Sequence, residues 1–197
     1  MGYYIRVLGK KLHNIPVQEL REVTQPFVLS ISEGDDDAWE QPTLAHKSGQ
    51  AIAVVEKNPV SEGQLGAEEL REFFDEVSHY KPATAVTWLQ HYLPTVKVIY
   101  AFQLLSGTDV DDGWMALHSL YSAVWKHAGG ILQADGEGFC DEEGFTILWQ
   151  FTEHVTGQWK MGVIKNGRWI HFEMSLGNEL HRKAFWSGEV PDGVKLL

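Results

Sequence analysis

Residues 158–174, Gln-Trp-Lys-Met-Gly-Val-Ile-Lys-Asn-Gly-Arg-Trp-Ile-His-Phe-Glu-Met, hold two runs of β-forming residues separated by Asn166-Gly167. That pair is preferred for a two-residue type I′ hairpin turn, because both central positions need positive φ. A turn of this length leaves no freedom in the register. It sets Ile164 opposite Trp169, Val163 opposite Ile170, Gly162 opposite His171, Met161 opposite Phe172, Lys160 opposite Glu173 and Trp159 opposite Met174. One face then carries Trp159, Met161, Val163, Ile170, Phe172 and Met174, a core face. The other presents Lys160, Trp169, His171 and Glu173, and these four are the binding-surface candidates, Trp169 foremost because tryptophan is favoured in binding hot spots.

Immediately upstream, residues 131–151 place Asp135, Glu137, Asp141, Glu142 and Glu143 in a glycine-rich stretch between two apolar runs. It reads as a polar loop, flexible without a ligand. Downstream of it Phe145, Ile147, Trp149 and Phe151 share one strand face by period-two alternation. Before it, Trp114, Leu117, Tyr121, Val124, Trp125 and Ala128 form one helical stripe, closed by Gly129-Gly130. Residues 178–186 form a last short helix with the basic cluster His181-Arg182-Lys183, followed by a surface turn at Pro191-Asp192-Gly193.

The first half alternates in the same way. Residues 3–8 are a strand ending at Gly9, Pro16 opens a short helix, and Phe27 to Ile31 are a strand with one buried face. Asp35-Asp36-Asp37 is a turn. Pro42 lacks a donor, so its strand belongs at an edge. Residues 51–55 and 98–104 are apolar on both faces, which is the mark of covered, central strands. Between them, Leu70, Phe73, Phe74 and Val77 give one amphipathic helix, and Ala85, Trp88, Leu89 and Tyr92 give a second behind Pro82.

These elements predict an α+β fold with largely antiparallel sheet and helices packed on one side, its order suggesting two similar βαβββ halves, 1–95 and 96–197. That order resembles the paired modules of the vicinal oxygen chelate family, whose glyoxalase-like members carry metal ligands on the first and last strands of each module. The resemblance implies a metal-dependent enzyme, with Arg6, Glu56, Gln103 and Glu173 at the matching positions. Glu56, Gln103 and Glu173 are acceptable ligands; Arg6 is not, and the two-helix joint is long for the family.

Composition narrows the setting. The chain has 16 basic and 27 acidic residues, a formal charge of −11, spread as 8 and 14 over residues 1–96 and 8 and 13 over 97–197. Such a field repels nucleic acid and anionic membranes and leaves a small molecule or a basic protein as partner classes. The single Cys140 excludes an internal disulfide and fits a cytoplasmic setting. The N-terminus lacks a signal-peptide core, and no apolar run reaches the roughly 18 residues of a membrane helix.

Candidate chemistry is sparse. Asp135 and Glu137 are the first choice for a divalent metal, beside a packed strand and among glycines that let the backbone turn around an ion. Glu56, Gln103 and Glu173 are the alternative set. His118 and Ser122 lie one turn apart without a third ligand. Cys140 stands among acids that oppose its thiolate, so it is a poor nucleophile. The sequence reading is therefore a non-catalytic binding or regulatory module with an acidic surface, with the glyoxalase-like metal enzyme as its competitor.

Overall fold

A computed structural model describes residues 2–31, 39 and 41–197. In chain order the elements are β1 (Tyr4–Gly9), α1 (Val17–Val23), β2 (Val28–Ile31), β3 (Pro42–Ala45), β4 (Ala51–Pro59), α2 (Leu65–Val77) and α3 (Ala83–Tyr92). They continue with β5 (Val98–Leu104), α4 (Gly113–Ala128), β6 (Ile131–Ala134), β7 (Gly138–Cys140), β8 (Thr146–Trp149), β9 (Gln158–Lys165), β10 (Arg168–Ser175), α5 (Glu179–Trp186) and β11 (Lys195–Leu196). The class is α+β with mostly antiparallel strands. The Asp35-Asp36-Asp37 turn lies outside the described residues. No helix among those described is long and apolar enough to cross a membrane.

The chain forms two compact units, and neither is one uninterrupted half. The first joins Met1–Ala67 to Val96–Gly130, and the second joins Glu68–Thr95 to Ile131–Leu197. Residue 95/96 is thus one of three points at which the chain changes unit.

In the first unit five antiparallel strands run in the order β1, β5, β4, β3, β2. The doubly apolar β5 is internal, and Val98 to Phe102 are buried. On one face Phe102 meets Tyr121 of α4 at 6.2 Å, while Tyr100 packs 5.8 Å from Trp39, whose indole Nε1 donates to the Ile15 carbonyl at 2.7 Å.

Three expectations change here. Pro42 is not on an edge strand: β3 lies between β2 and β4. Pro42 is tolerated because it is the first residue of β3 and pairs only with Ile31 on the β2 side. The inward stripe of α4 is rotated, with Ala116, Leu117, Leu120, Val124 and Ala128 buried and Trp114 48% exposed. The reason lies at the helix start, where a Cβ on Gly113 would collide with the Gly107 carbonyl oxygen, so the helix approaches through its small residues and Trp114 turns outward. Finally, the two similar βαβββ halves are not confirmed. β5 intervenes between β1 and β4, and the strands of the second βαβββ run divide, β5 in one unit and β6, β7 and β8 in the other.

The second unit has six strands in the order β11, β10, β9, β8, β7, β6, all antiparallel except the β8–β9 pair. All six cross-strand pairs expected for β9 and β10 are present, and Asn166 (φ 52°) and Gly167 (φ 74°) both have positive φ. Met161, Val163, Phe172 and Met174 are buried with Trp149, Phe151, Leu176 and Phe185, and Trp159 and Ile170 pack against them. Phe185 brings α5 to this face, whereas Trp88 of α3 meets Trp169 on the other, so helices flank the hairpin on both sides. The C-terminal tail contributes β11 beyond β10, pairing Lys195 with Glu173.

The acidic stretch is not a plain loop. Gly138–Cys140 form a strand that pairs with β6 on one side and β8 on the other, and Phe139 is fully buried, 5.6 Å from Phe73 of α2. Phe74, one residue on, is exposed. Two turns result, at 135–137 and 141–145, and the acids are divided between them.

Candidate functional site

The second face of the hairpin is built around the gap at Gly162. A Cβ there would lie 3.2 Å from His171 Cδ2 and 3.4 Å from Ile147 Cγ2, so glycine opposite His171 is what lets the imidazole lie flat against the strand. The ring stacks on Phe145 at 3.8 Å with 6° between planes. Its Nε2 is 2.6 Å from Oδ2 of Asp141, itself only 2% exposed. The other oxygen of that carboxylate accepts the backbone N–H groups of Glu143 (2.9 Å) and Phe145 (3.0 Å). Glu143 Oε2 is 3.7 Å from His171 Nδ1. With both its oxygens bonded, Asp141 ties the turn at 141–145 to β10, and the imidazole closes the arrangement.

Trp169, on the same face, is not a bare platform. Its ring meets Trp88 edge-on at 5.2 Å, Trp88 stacks on Tyr92 at 4.7 Å, and the Tyr92 hydroxyl donates to Glu142 at 3.1 Å. Burial, reinforced by the Glu142 carboxylate, raises the Tyr92 phenol above its ordinary range, so it stays a donor. Glu173 sits in register between Lys160 and Lys195, an alternation of charge that favours the three-strand edge. Of the four binding-surface candidates, His171 and Trp169 are thus drawn into packing, and Lys160 is left exposed.

The metal candidates are dispersed. Asp135 lies 3.5 Å from Gln133 Nε2, Asp141 turns inward, Glu142 takes the Tyr92 proton donor and Glu143 approaches His171. Glu137 shares the turn at 135–137 with Asp135 and adds its charge near Cys140. In the first unit Arg6 and Glu56 flank Ala101 in register, Gln103 lies two residues along the same strand, and the Arg6 guanidinium sits 4.9 Å over the Tyr4 ring. Glu173 belongs to the second unit. Among the described residues no three His, Cys, Asp or Glu side chains are grouped so as to hold a metal ion.

Cys140 is paired with a hydroxyl rather than a histidine. Its Sγ lies 3.6 Å from Thr146 Oγ1, which also accepts from Trp159 Nε1 at 2.9 Å on the core side of the hairpin. The residue keeps some exposed surface, but its thiol is inside. Burial pushes it up to about 12, with the charges of Asp141 and Glu137 adding to the effect and the Thr146 hydrogen bond opposing it.

A concavity of the second unit lies elsewhere. Beside α5, a cleft of about 350 Å³ is lined by Trp149, Phe151 and Trp186 on its aromatic wall and by Glu153, His154, Glu179, Arg182 and Lys183 on its rim. Trp149 is locked by its Nε1, which donates to the Phe151 carbonyl at 3.1 Å, and its ring stands edge-on to Trp186 at 5.5 Å and to Phe151 at 5.0 Å. Asn178 caps α5 by accepting from the N–H groups of Leu180 and His181, so the helix begins where it must to bring Arg182 and Trp186, four residues apart, onto one face. Trp186 also lines a second depression of about 210 Å³ with His79, Tyr80, Lys81 and Trp149.

Sequence reasoning did not reach this cleft. Its one legible sign was the conjunction of a basic cluster with Trp186, a tryptophan no predicted core face accounts for. No protein-family model, curated protein or solved structure matches the chain.

Proposed function

We propose that the protein is a non-catalytic binding module whose ligand is a small molecule seated in the cleft beside α5. The observation that carries this reading is the cleft itself, with rigid aromatic side chains on one wall and ionisable groups gathered on its rim. Small-molecule sites pair apolar surface for contact with polar groups for orientation, and here three aromatic side chains meet five ionisable ones in about 350 Å³, a volume within the usual range of such sites. The pair of His171 with the buried Asp141 supports the same reading: its hydrogen bonds are spent on the turn at 141–145 and on β10. The only thiol is held protonated. The single cysteine also favours a reducing, cytoplasmic setting for the module.

A fragment screen read by the indole N–H resonances of the tryptophans tests the proposal. Binders are expected to shift Trp149 and Trp186, and to lose that effect in Trp186→Ala while the variant's remaining spectrum stays folded. Hits that consistently map to other tryptophans, or persist unchanged in the variant, would move the site.

A further inference from the structure

We infer that the cleft selects a planar aromatic monoanion, a bicyclic carboxylate being the simplest example, with its ring against Trp186 and its carboxylate on Arg182. The inference rests on the binding-module reading above and specifies the ligand's shape and charge.

The wall calls for a flat apolar body. Trp149 has already given its only donor to the Phe151 carbonyl, so Trp149 and Phe151 offer ring surface and edge rather than hydrogen bonds. The rim calls for charge. Its two cations differ, because Lys183 is taken up by Glu179 at 2.6 Å, an interaction that also holds the Glu179 carboxyl below its ordinary range. Arg182 adds its charge to that effect without a hydrogen bond to Glu179, and gives Nη1 to the Leu176 carbonyl at 2.9 Å. That bond orients the guanidinium and uses one of its five donors. The rest form a planar fork suited to a carboxylate, in a geometry lysine cannot reproduce. Behind the wall, the Lys81 ammonium lies 5.8 Å from the Trp186 ring centroid, adding positive potential on the second-depression side of that ring.

The same rim limits the charge. Glu153 and Glu179 also line the cleft, and the chain as a whole is at −11, so a ligand with several anionic groups would meet repulsion that one carboxylate on Arg182 avoids. Planarity comes from the wall, the anion from Arg182, and the limit of one charge from the two glutamates.

Titration calorimetry with naphthoate, naphthamide, naphthylmethylammonium and cyclohexanecarboxylate, with indole N–H shifts recorded in parallel, tests this. Naphthoate should bind at least ~10-fold more tightly than naphthamide, the scale of a charge-assisted bidentate contact. Cyclohexanecarboxylate, anionic but not planar, should bind more weakly than naphthoate. Arg182→Gln should remove the preference for the acid over the amide, and Arg182→Lys, which keeps the charge and loses the fork, should retain part of it. Equal binding of acid and amide by the wild type, or tightest binding of the ammonium, would overturn the ligand class and leave the cleft as a binding site. If no compound shifts Trp149 or Trp186, the class and the cleft reading both fall.

Discussion

The hairpin of β9 and β10 and the meander of β6, β7 and β8 are neighbours in one unit and both turn at glycines, yet they are held in different ways. The hairpin's register follows from two adjacent residues, Asn166 and Gly167, and its interior from simple alternation. The meander is set by groups distant in sequence. Asp141 is fixed by His171, 30 residues on, Glu142 by Tyr92, 50 residues back, and Phe139 by Phe73 of α2. Local turn chemistry makes the first robust, while the second depends on the rest of its unit being in place.

The largest effect expected from this contrast is in the hairpin's core. Phe172→Ala should cost ~3–5 kcal/mol in equilibrium denaturation, since it empties a fully buried aromatic site. Gly167→Ala should cost about 1–2 kcal/mol, because its φ of 74° is poorly tolerated by an L side chain although space around it is open. A Gly167→Ala variant as stable as the wild type would mean that the turn does not hold the register. Lys160→Ala, on the exposed face, should change stability by less than ~0.5 kcal/mol.

The meander yields a kinetic expectation. Cys140 should resist alkylation in the folded protein at pH 8 and react readily in denaturant. The thiol's folded value of about 12 lies above the ~8.5 of an unfolded cysteine, so its contribution to stability is complete below the unfolded value and is lost as pH rises through the interval between them. Rapid labelling of the native protein at pH 8 would show that the meander opens independently of the hairpin.

How much of this was legible in the sequence follows the same division. The six cross-strand pairs and the internal place of β4 and β5 were readable, because each depends on residues within a turn or a period of one another. The outward turn of Trp114 was not, since it depends on Gly113 meeting the carbonyl of Gly107 in a turn that periodicity does not describe. Nor was the strand at Gly138–Cys140, whose three residues are too few to show alternation. Trp169 and His171 were correctly placed on the second face but read as open surface, because nothing nearby in sequence announces Trp88 or Asp141. The cleft is the extreme case: its wall comes from the end of β8, the residues after it and the last turn of α5, and no single stretch contains it.

The pair of Asp141 and His171 is where the two regions meet, and the account holds that it fastens the meander to the hairpin. A double-mutant cycle of Asp141→Ala and His171→Ala, followed by urea denaturation, measures that directly. Removing either partner should destabilise the protein, with Asp141→Ala the more costly because two backbone N–H groups also lose their acceptor, and the cycle should give a coupling of about 1–3 kcal/mol. Additive single-variant effects, with no coupling between the two positions, would contradict it.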